Sequence, residues 1–93
     1  MLRVVEQPGV IDAIDDAKRR WVRTPDAWET ISWILSHDPQ AGNPITKNGN
    51  GKLRVFTLDG VRSLGMPTVT ILFEVSRFEL TIHDALFEES KIA

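Results

Sequence analysis

The 93-residue chain contains no cysteine and no tyrosine, and it has only two histidines. Without cysteine it has no disulfide framework, no thiolate zinc site and no thiol nucleophile. Two scattered histidines do not make a metal site, so we expect neither a metal nor another cofactor. No apolar run approaches the roughly 20 residues that cross a bilayer. The N-terminal stretch MLRVVEQPGV lacks the apolar run and cleavage site of a secretory signal. We therefore expect a cytoplasmic protein without a membrane partner.

Charge is nearly balanced along the chain. The net charge of −2 argues against a dedicated nucleic-acid binder, because phosphate contacts need a basic surface. Residues 1 to 44 carry five basic and seven acidic side chains, whereas residues 45 to 83 carry five basic and three acidic ones. The hydrophobic share of 42% and the charged share of 26% are typical of one globular domain, here residues 1–93.

The first half of the chain predicts a strand followed by two helices. The stretch LRVVE is β-prone and ends at the breaker QPG. Apolar residues then recur at helical spacing, and this pattern places Val10, Ile11 and Ile14 in the core. Thr24 is the predicted N-cap of the second helix, with Pro25 in its first turn. The short connection between the helices predicts an antiparallel helical hairpin.

Trp33 does not follow the apolar stripe of the second helix. At about 100° per residue it lies roughly 140° around the helix from Trp28. Two interpretations remain open from the sequence. The indole either packs on a neighbouring element, or it is exposed and contacts a partner, as tryptophans at interfaces often do.

The second half of the chain predicts a sheet. A polar connection at residues 39–52 leads to the strand KLRVFTL and then to the hairpin TVTILFEVSRFELTIHD. Alternation along the hairpin predicts an apolar core face: Val69, Ile71, Phe73, Val75, Phe78, Leu80 and Ile82. The opposite face should be polar and include His83, with Asp84 pointing the other way. The pattern leaves open which side of KLRVFTL faces outward, and whether residues 60–67 form a loop or a bulged strand.

The element order β-α-α-β-β-β predicts an α+β fold, an antiparallel sheet covered on one face by the helical hairpin. This order, with GKLRVFTL and PTVTILFEVSRFELTIHDALF, resembles the RelE/ParE superfamily of bacterial toxins. The resemblance implies a type II toxin that a cognate antitoxin protein holds inactive. One branch of the superfamily cleaves messenger RNA on the ribosome, and the other poisons DNA gyrase.

The resemblance also implies which residues carry the activity. Ribonucleolytic members need cations and a proton-transfer group, for which the candidates here are Lys52, Arg54, Arg62 and His83. Trp33 is the candidate antitoxin contact, in a groove along the helical hairpin and the sheet edge, where it could receive an apolar anchor.

The sequence departs from the ribonucleolytic pattern after the last strand, where HDALFEESKIA supplies neither a basic group next to the strand nor a tyrosine. Antitoxin binding by a toxin, or by a catalytically weakened relative, is therefore the leading hypothesis. The alternatives are an endoribonuclease, a gyrase-directed inhibitor without catalytic residues, and a small non-catalytic interaction domain.

Overall fold

In the computed structural model, which describes residues 2–45 and 53–93, the chain forms two helices and a five-stranded sheet. In chain order the elements are β1 (Arg3–Glu6), α1 (Pro8–Arg20), α2 (Thr24–His37), β2 (Asn43–Pro44), β3 (Leu53–Leu58), β4 (Thr68–Val75) and β5 (Glu79–Glu88). A short 3-10 turn, Arg62–Leu64, connects β3 to β4. This architecture confirms the α+β class. Neither described helix is long and apolar enough to cross a membrane.

The sheet is mixed, with the strand order β1-β5-β4-β3-β2. Neighbouring strands from β2 to β5 are antiparallel, but β1 pairs with β5 in parallel. The expectation of an antiparallel sheet is therefore wrong at this edge. A parallel pair needs a long connection rather than a tight turn, and the chain between β1 and β5 supplies it. The two-residue β2 lies within the stretch predicted as an irregular connection, and it is too short to leave a period-two pattern.

The hydrophobic core lies between the helical hairpin and one face of the sheet. Alternation in β4 is confirmed, because Val69, Ile71 and Phe73 are all fully buried. From the helices, Ile31 and Leu35 are fully buried against the same cluster. Each large side chain buried in this way contributes roughly 1.5–3 kcal/mol, so this one layer of contacts holds the helices on the sheet.

Two residues predicted for the core are exposed instead. Phe78 is 74% exposed because it lies in the turn between β4 and β5, where strand alternation does not apply. Ile11 is 46% exposed, while the preceding Val10 is buried. Both errors have a local cause. The apolar pattern of β5 was extended into the turn before the strand, which added Phe78, and the apolar side of α1 was drawn one residue too wide, which added Ile11.

Thr24 connects the two helices and is not the N-cap of α2. The N-cap is Arg23, and Thr24 is fully buried in the first turn. Its hydroxyl lies 2.8 Å from the carbonyl oxygen of Trp21 and 3.1 Å from that of Ala17, at the end of α1. With only three residues between the helices, the first turn of α2 abuts the last turn of α1. The threonine therefore donates backwards to α1.

The connection between β3 and β4 is a compact turn. Val61 and Met66 form a bridge across the 3-10 turn, and Gly65 closes it with a φ of 68°, which favours glycine. A side chain at Gly60 would clash with the backbone of Met66 at 2.1 Å. The hydroxyl of the buried Ser90 donates to the Gly60 carbonyl at 2.7 Å. The turn is thus fixed by close backbone packing.

Candidate functional site

The side of the sheet opposite the helices is not covered by any described element. We call this surface the open face. Residues that alternate with the buried positions of β4 point to it, and cross-strand partners share the same side. The open face consists of Arg3, Val5, Asn43, Leu53, Val55, Thr57, Thr68, Thr70, Leu72, Glu74, Glu79, Thr81, His83, Asp84, Leu86 and Glu88.

The centre of the open face is apolar. Leu72 pairs directly with Val55, and Leu86 lies diagonally across β5 and is 56% exposed. These three side chains, together with Thr70 and Asp84, line a shallow depression of about 110 Å³. The expectation of a polar outer face is therefore wrong at its centre.

Leu72 and Leu86 were missed as site residues. Each stands within a three-residue apolar run, ILF in β4 and ALF in β5. In such a run one residue must face away from a one-sided core. That rule was the signal that could have identified both leucines.

Carboxylates surround this apolar centre. The strands of the open face carry Glu74, Glu79, Asp84 and Glu88 against one arginine, Arg3, and Lys91 of the C-terminal segment lines a cavity beside Glu88 at one end of this face. The net charge of the strand residues is −3 when His83 is neutral. Arg3 lies 3.8 Å from Glu79, whereas Asp84 and Glu88 form no ion pair in the described ranges. The mildly basic composition of residues 45–83 therefore does not produce a basic surface.

A β-bulge places His83 and Asp84 on the same exposed side. Leu72 pairs with Asp84 while the next residue, Phe73, pairs with Ile82, so His83 is an extra residue in β5. Both His83 and Asp84 are exposed, which a regular strand would not allow.

The two neighbours of the bulge have different partners. The Nε2 atom of His83 lies 3.1 Å from Oε1 of Glu74, and Asp84 accepts a hydrogen bond from the backbone N–H of Ala85 at 2.9 Å. No hydrogen bond joins His83 to Asp84 in the described part of the chain. A catalytic histidine–aspartate pair is therefore not formed.

Arg54 is on the helix-covered side of the sheet, where it pairs with Phe73. Its guanidinium donates hydrogen bonds to the carbonyl oxygens of Gln40 at 2.7 Å and Gly42 at 3.0 Å. Both carbonyls belong to the connection that follows α2. Arg54 therefore holds this connection against β3, and its donors are directed away from the open face.

The proposed catalytic residues do not converge. Arg62 is exposed in the turn that joins the ends of β3 and β4, and its backbone N–H donates to the Ile92 carbonyl at 2.8 Å. His83 lies beside Leu72, which is four residues after Thr68, the first residue of β4. At the usual rise per residue of a strand, His83 is therefore roughly 13 Å from the end of β4 that follows the turn. Arg54 is at the same level as His83 but on the opposite side of the sheet. Lys52 lies outside the described residues.

Trp33 occupies a separate surface on α2. Trp33 is 62% exposed, so its indole is not buried against a neighbouring element of the domain. The ring of His37 stacks on the indole with a centroid distance of 4.2 Å. A shallow cavity of about 400 Å³ lies next to the indole and is lined by Asp26, Glu29 and Thr30. Because α2 covers the inner side of the sheet, this surface is distinct from the open face.

No group of histidine, aspartate or glutamate side chains in residues 2–45 and 53–93 is arranged to hold a metal ion.

No protein-family model matches the chain, and no curated protein matches it. Functional assignment therefore depends on the geometry of the two surfaces described above and on the sequence resemblance.

Proposed function

We propose that this chain is a RelE/ParE-like toxin component whose main activity is to bind a cognate antitoxin protein through the open face. The sequence resemblance of the strands and the one-sided packing of the helical hairpin support the kinship. The composition of the open face supports a protein partner. The endoribonuclease becomes the weaker alternative.

The observation that carries this proposal is the apolar centre with its acidic border, in which Leu86 is exposed and Leu72 and Val55 are half-buried. Leu72, Val55 and Leu86 lie together on a surface that no described element covers. Protein interfaces commonly have such an apolar core with a polar rim, and contiguous exposed apolar side chains often mark them. An antitoxin segment that places apolar side chains here, with basic residues at its borders, would complement both features.

The same surface disfavours messenger RNA cleavage. Four carboxylates on the open face would repel a phosphate backbone, whose binding depends on lysine and arginine contacts. The guanidinium of Arg54 donates to backbone carbonyls. Arg62 lies close to the first residue of β4, whereas His83 lies beside Leu72, four residues further along that strand. A gyrase-directed inhibitor needs no catalytic constellation, so the separation of these residues makes it the second candidate function.

The first test is a growth assay. We expect induced expression of the chain in bacteria to arrest growth, and co-expression of the adjacent gene to relieve the arrest. Primer extension on cellular messages should then show no new cleavage sites. Normal growth after induction, with the protein present and folded, would contradict the toxin proposal, and message cleavage would restore the endoribonuclease.

A second test addresses the open face itself. Leu86→Asp should weaken binding to the product of the adjacent gene by about tenfold or more, because truncating or charging an apolar interface centre is costly. Leu64→Asp is the matched control, since Leu64 is 52% exposed but lies in the 3-10 turn. Calorimetric titration of both variants would measure the difference. Equal affinities for the two variants would show that the partner binds elsewhere.

A further inference from the structure

The outward side of α2 carries an exposed stripe that the open face does not explain. Asp26, Glu29, Thr30 and Trp33 are spaced three, four and seven residues apart, which places them on one side of the helix. They line a single cavity of about 400 Å³. We call this surface the α2 stripe.

The indole of Trp33 has one side covered and one side open. His37 is one turn later on the helix and stacks on the ring at 4.2 Å. The cavity lies towards the preceding turn, where Glu29 and Thr30 are found. The face of an aromatic ring is electron-rich and attracts a cation, and tryptophan does so most strongly. The open side of Trp33 is therefore suited to a positively charged group.

Of the two carboxylates in the α2 stripe, only Asp26 forms an ion pair among the described residues. Asp26 forms an ion pair with Arg23, three residues before it. Glu29 forms neither an ion pair nor a side-chain hydrogen bond within the described ranges. Thr30 donates its hydroxyl to the backbone carbonyl of Asp26 at 2.8 Å. Glu29 thus supplies an uncompensated negative charge at the cavity that Trp33 also lines.

An arginine fits this combination better than a lysine. Its planar guanidinium can stack on an aromatic face while its edge donates hydrogen bonds to a carboxylate. The chain already stacks a guanidinium on an indole, because that of Arg20 lies 4.3 Å from the ring centroid of Trp21. The Trp21 ring has a cation from its own chain, whereas the cavity beside Trp33 has none within the described residues.

We propose that the α2 stripe binds an arginine side chain of the partner protein, seated between the open side of Trp33 and the Glu29 carboxylate. Charge complementarity identifies this occupant, and the inference rests on the proposed function for the existence of a protein partner. It replaces the apolar anchor that the sequence suggested for Trp33. The partner would then contact both layers of the domain, with apolar side chains on the open face and a cation on α2.

The experiment uses two small probes on the full chain. N-acetylarginine amide and its neutral isostere N-acetylcitrulline amide are titrated into isotopically labelled protein, and amide and indole signals are followed by NMR. We expect saturable shifts of the Trp33 indole N–H and the Glu29 and Thr30 amides with the arginine probe alone. The Trp21 indole, already stacked by Arg20, should move little. Equal shifts with both probes would overturn the inference.

Two variants and a control make the assignment specific. Glu29→Gln should weaken arginine binding by about two- to fivefold, the usual effect of an exposed ion pair. Trp33→Leu should abolish the saturable shifts at Glu29 and Thr30. Asp12→Asn removes another exposed carboxylate, on α1, and should leave the titration unchanged. Weakening by Asp12→Asn equal to that by Glu29→Gln would show that the probe senses only the overall charge.

The titration and the growth assay fail independently. Arginine-specific shifts on the α2 stripe would support this inference even if expression of the chain proved harmless, a result that counts against the toxin proposal alone. Growth arrest without such shifts would support the toxin proposal and overturn the arginine site.

Discussion

Replacing Phe73 with alanine tests the strand register that defines the open face. Phe73 is fully buried and pairs with Ile82 across the bulge. Truncating a buried phenylalanine costs about 3–5 kcal/mol, from lost transfer free energy and the cavity left behind. A domain of this size has a total unfolding free energy of about 5–14 kcal/mol. The variant should therefore lose at least about a fifth of its stability, and nearly all of it if the parent lies at the low end of this range.

Phe78 provides a matched control on the same hairpin. Because it is 74% exposed in the turn, Phe78→Ala should change the unfolding free energy by less than about 0.5 kcal/mol. Urea denaturation followed by tryptophan fluorescence measures both variants. With a urea dependence of about 1–2 kcal/mol per molar, Phe73→Ala should lower the midpoint by roughly 1.5–5 M.

Phe73→Leu serves if the alanine variant does not fold, and it should cost less than Phe73→Ala because it leaves a smaller cavity. Equal losses for Phe73→Ala and Phe78→Ala would refute the register. The assignment of Leu72 and Leu86 to the open face would then fail with it, because both positions are derived from the alternation around Phe73.

Three further predictions concern single side chains. Thr24→Val should lower the unfolding free energy by about 1 kcal/mol through the lost hydroxyl bond to Trp21, or about 4–8 °C in a thermal melt, whereas Thr24→Ser should retain most of it. Arg54→Met should speed amide hydrogen exchange in the connection around Gly42 and leave growth arrest by the folded protein intact. His83→Gln should change stability by less than about 0.5 kcal/mol, since its contact with a carboxylate is exposed, and should also leave growth arrest intact.

These predictions can each fail in a defined way. A melt of Thr24→Val equal to that of the parent would mean that the buried hydroxyl contributes nothing between the helices. Loss of growth arrest in folded Arg54→Met or His83→Gln would return these residues to a catalytic role. Unchanged exchange around Gly42 would mean that the arginine does not hold the connection.

The sequence predicted the element types, because hydrophobic periodicity is a local property. Val69, Ile71 and Phe73 follow a two-residue period, and the structure buries all three. Pairing between distant strands is not local, and for this reason the parallel neighbour of β5 was not predicted. Phe78 was misplaced because the pattern does not mark where a strand gives way to a turn. The bulge at His83 also leaves no trace in composition.

The candidate site was less predictable than the fold. The sequence resemblance suggested that Arg54 could act in catalysis, but its guanidinium is engaged by backbone carbonyls that only the folded chain brings near. Exposure of Trp33 depended on whether any element covered α2, which no local pattern reveals. Alternation within the apolar runs could have placed Leu72 and Leu86 on the outer side, but their grouping with Val55 depends on strand pairing, which no local pattern reveals.

The unequal lengths of β1 and β5 have a consequence for solubility. β1 accompanies β5 only as far as Ile82, and β5 continues to Glu88 without a described strand on that side. Such a bare border invites stacking of copies edge to edge. The Asp84 carboxylate sits over the Ala85 amide at the start of this stretch, so one donor that an incoming chain would need is already occupied. The bulge thus places the Asp84 carboxylate where it disfavours edge-to-edge pairing between copies of the chain.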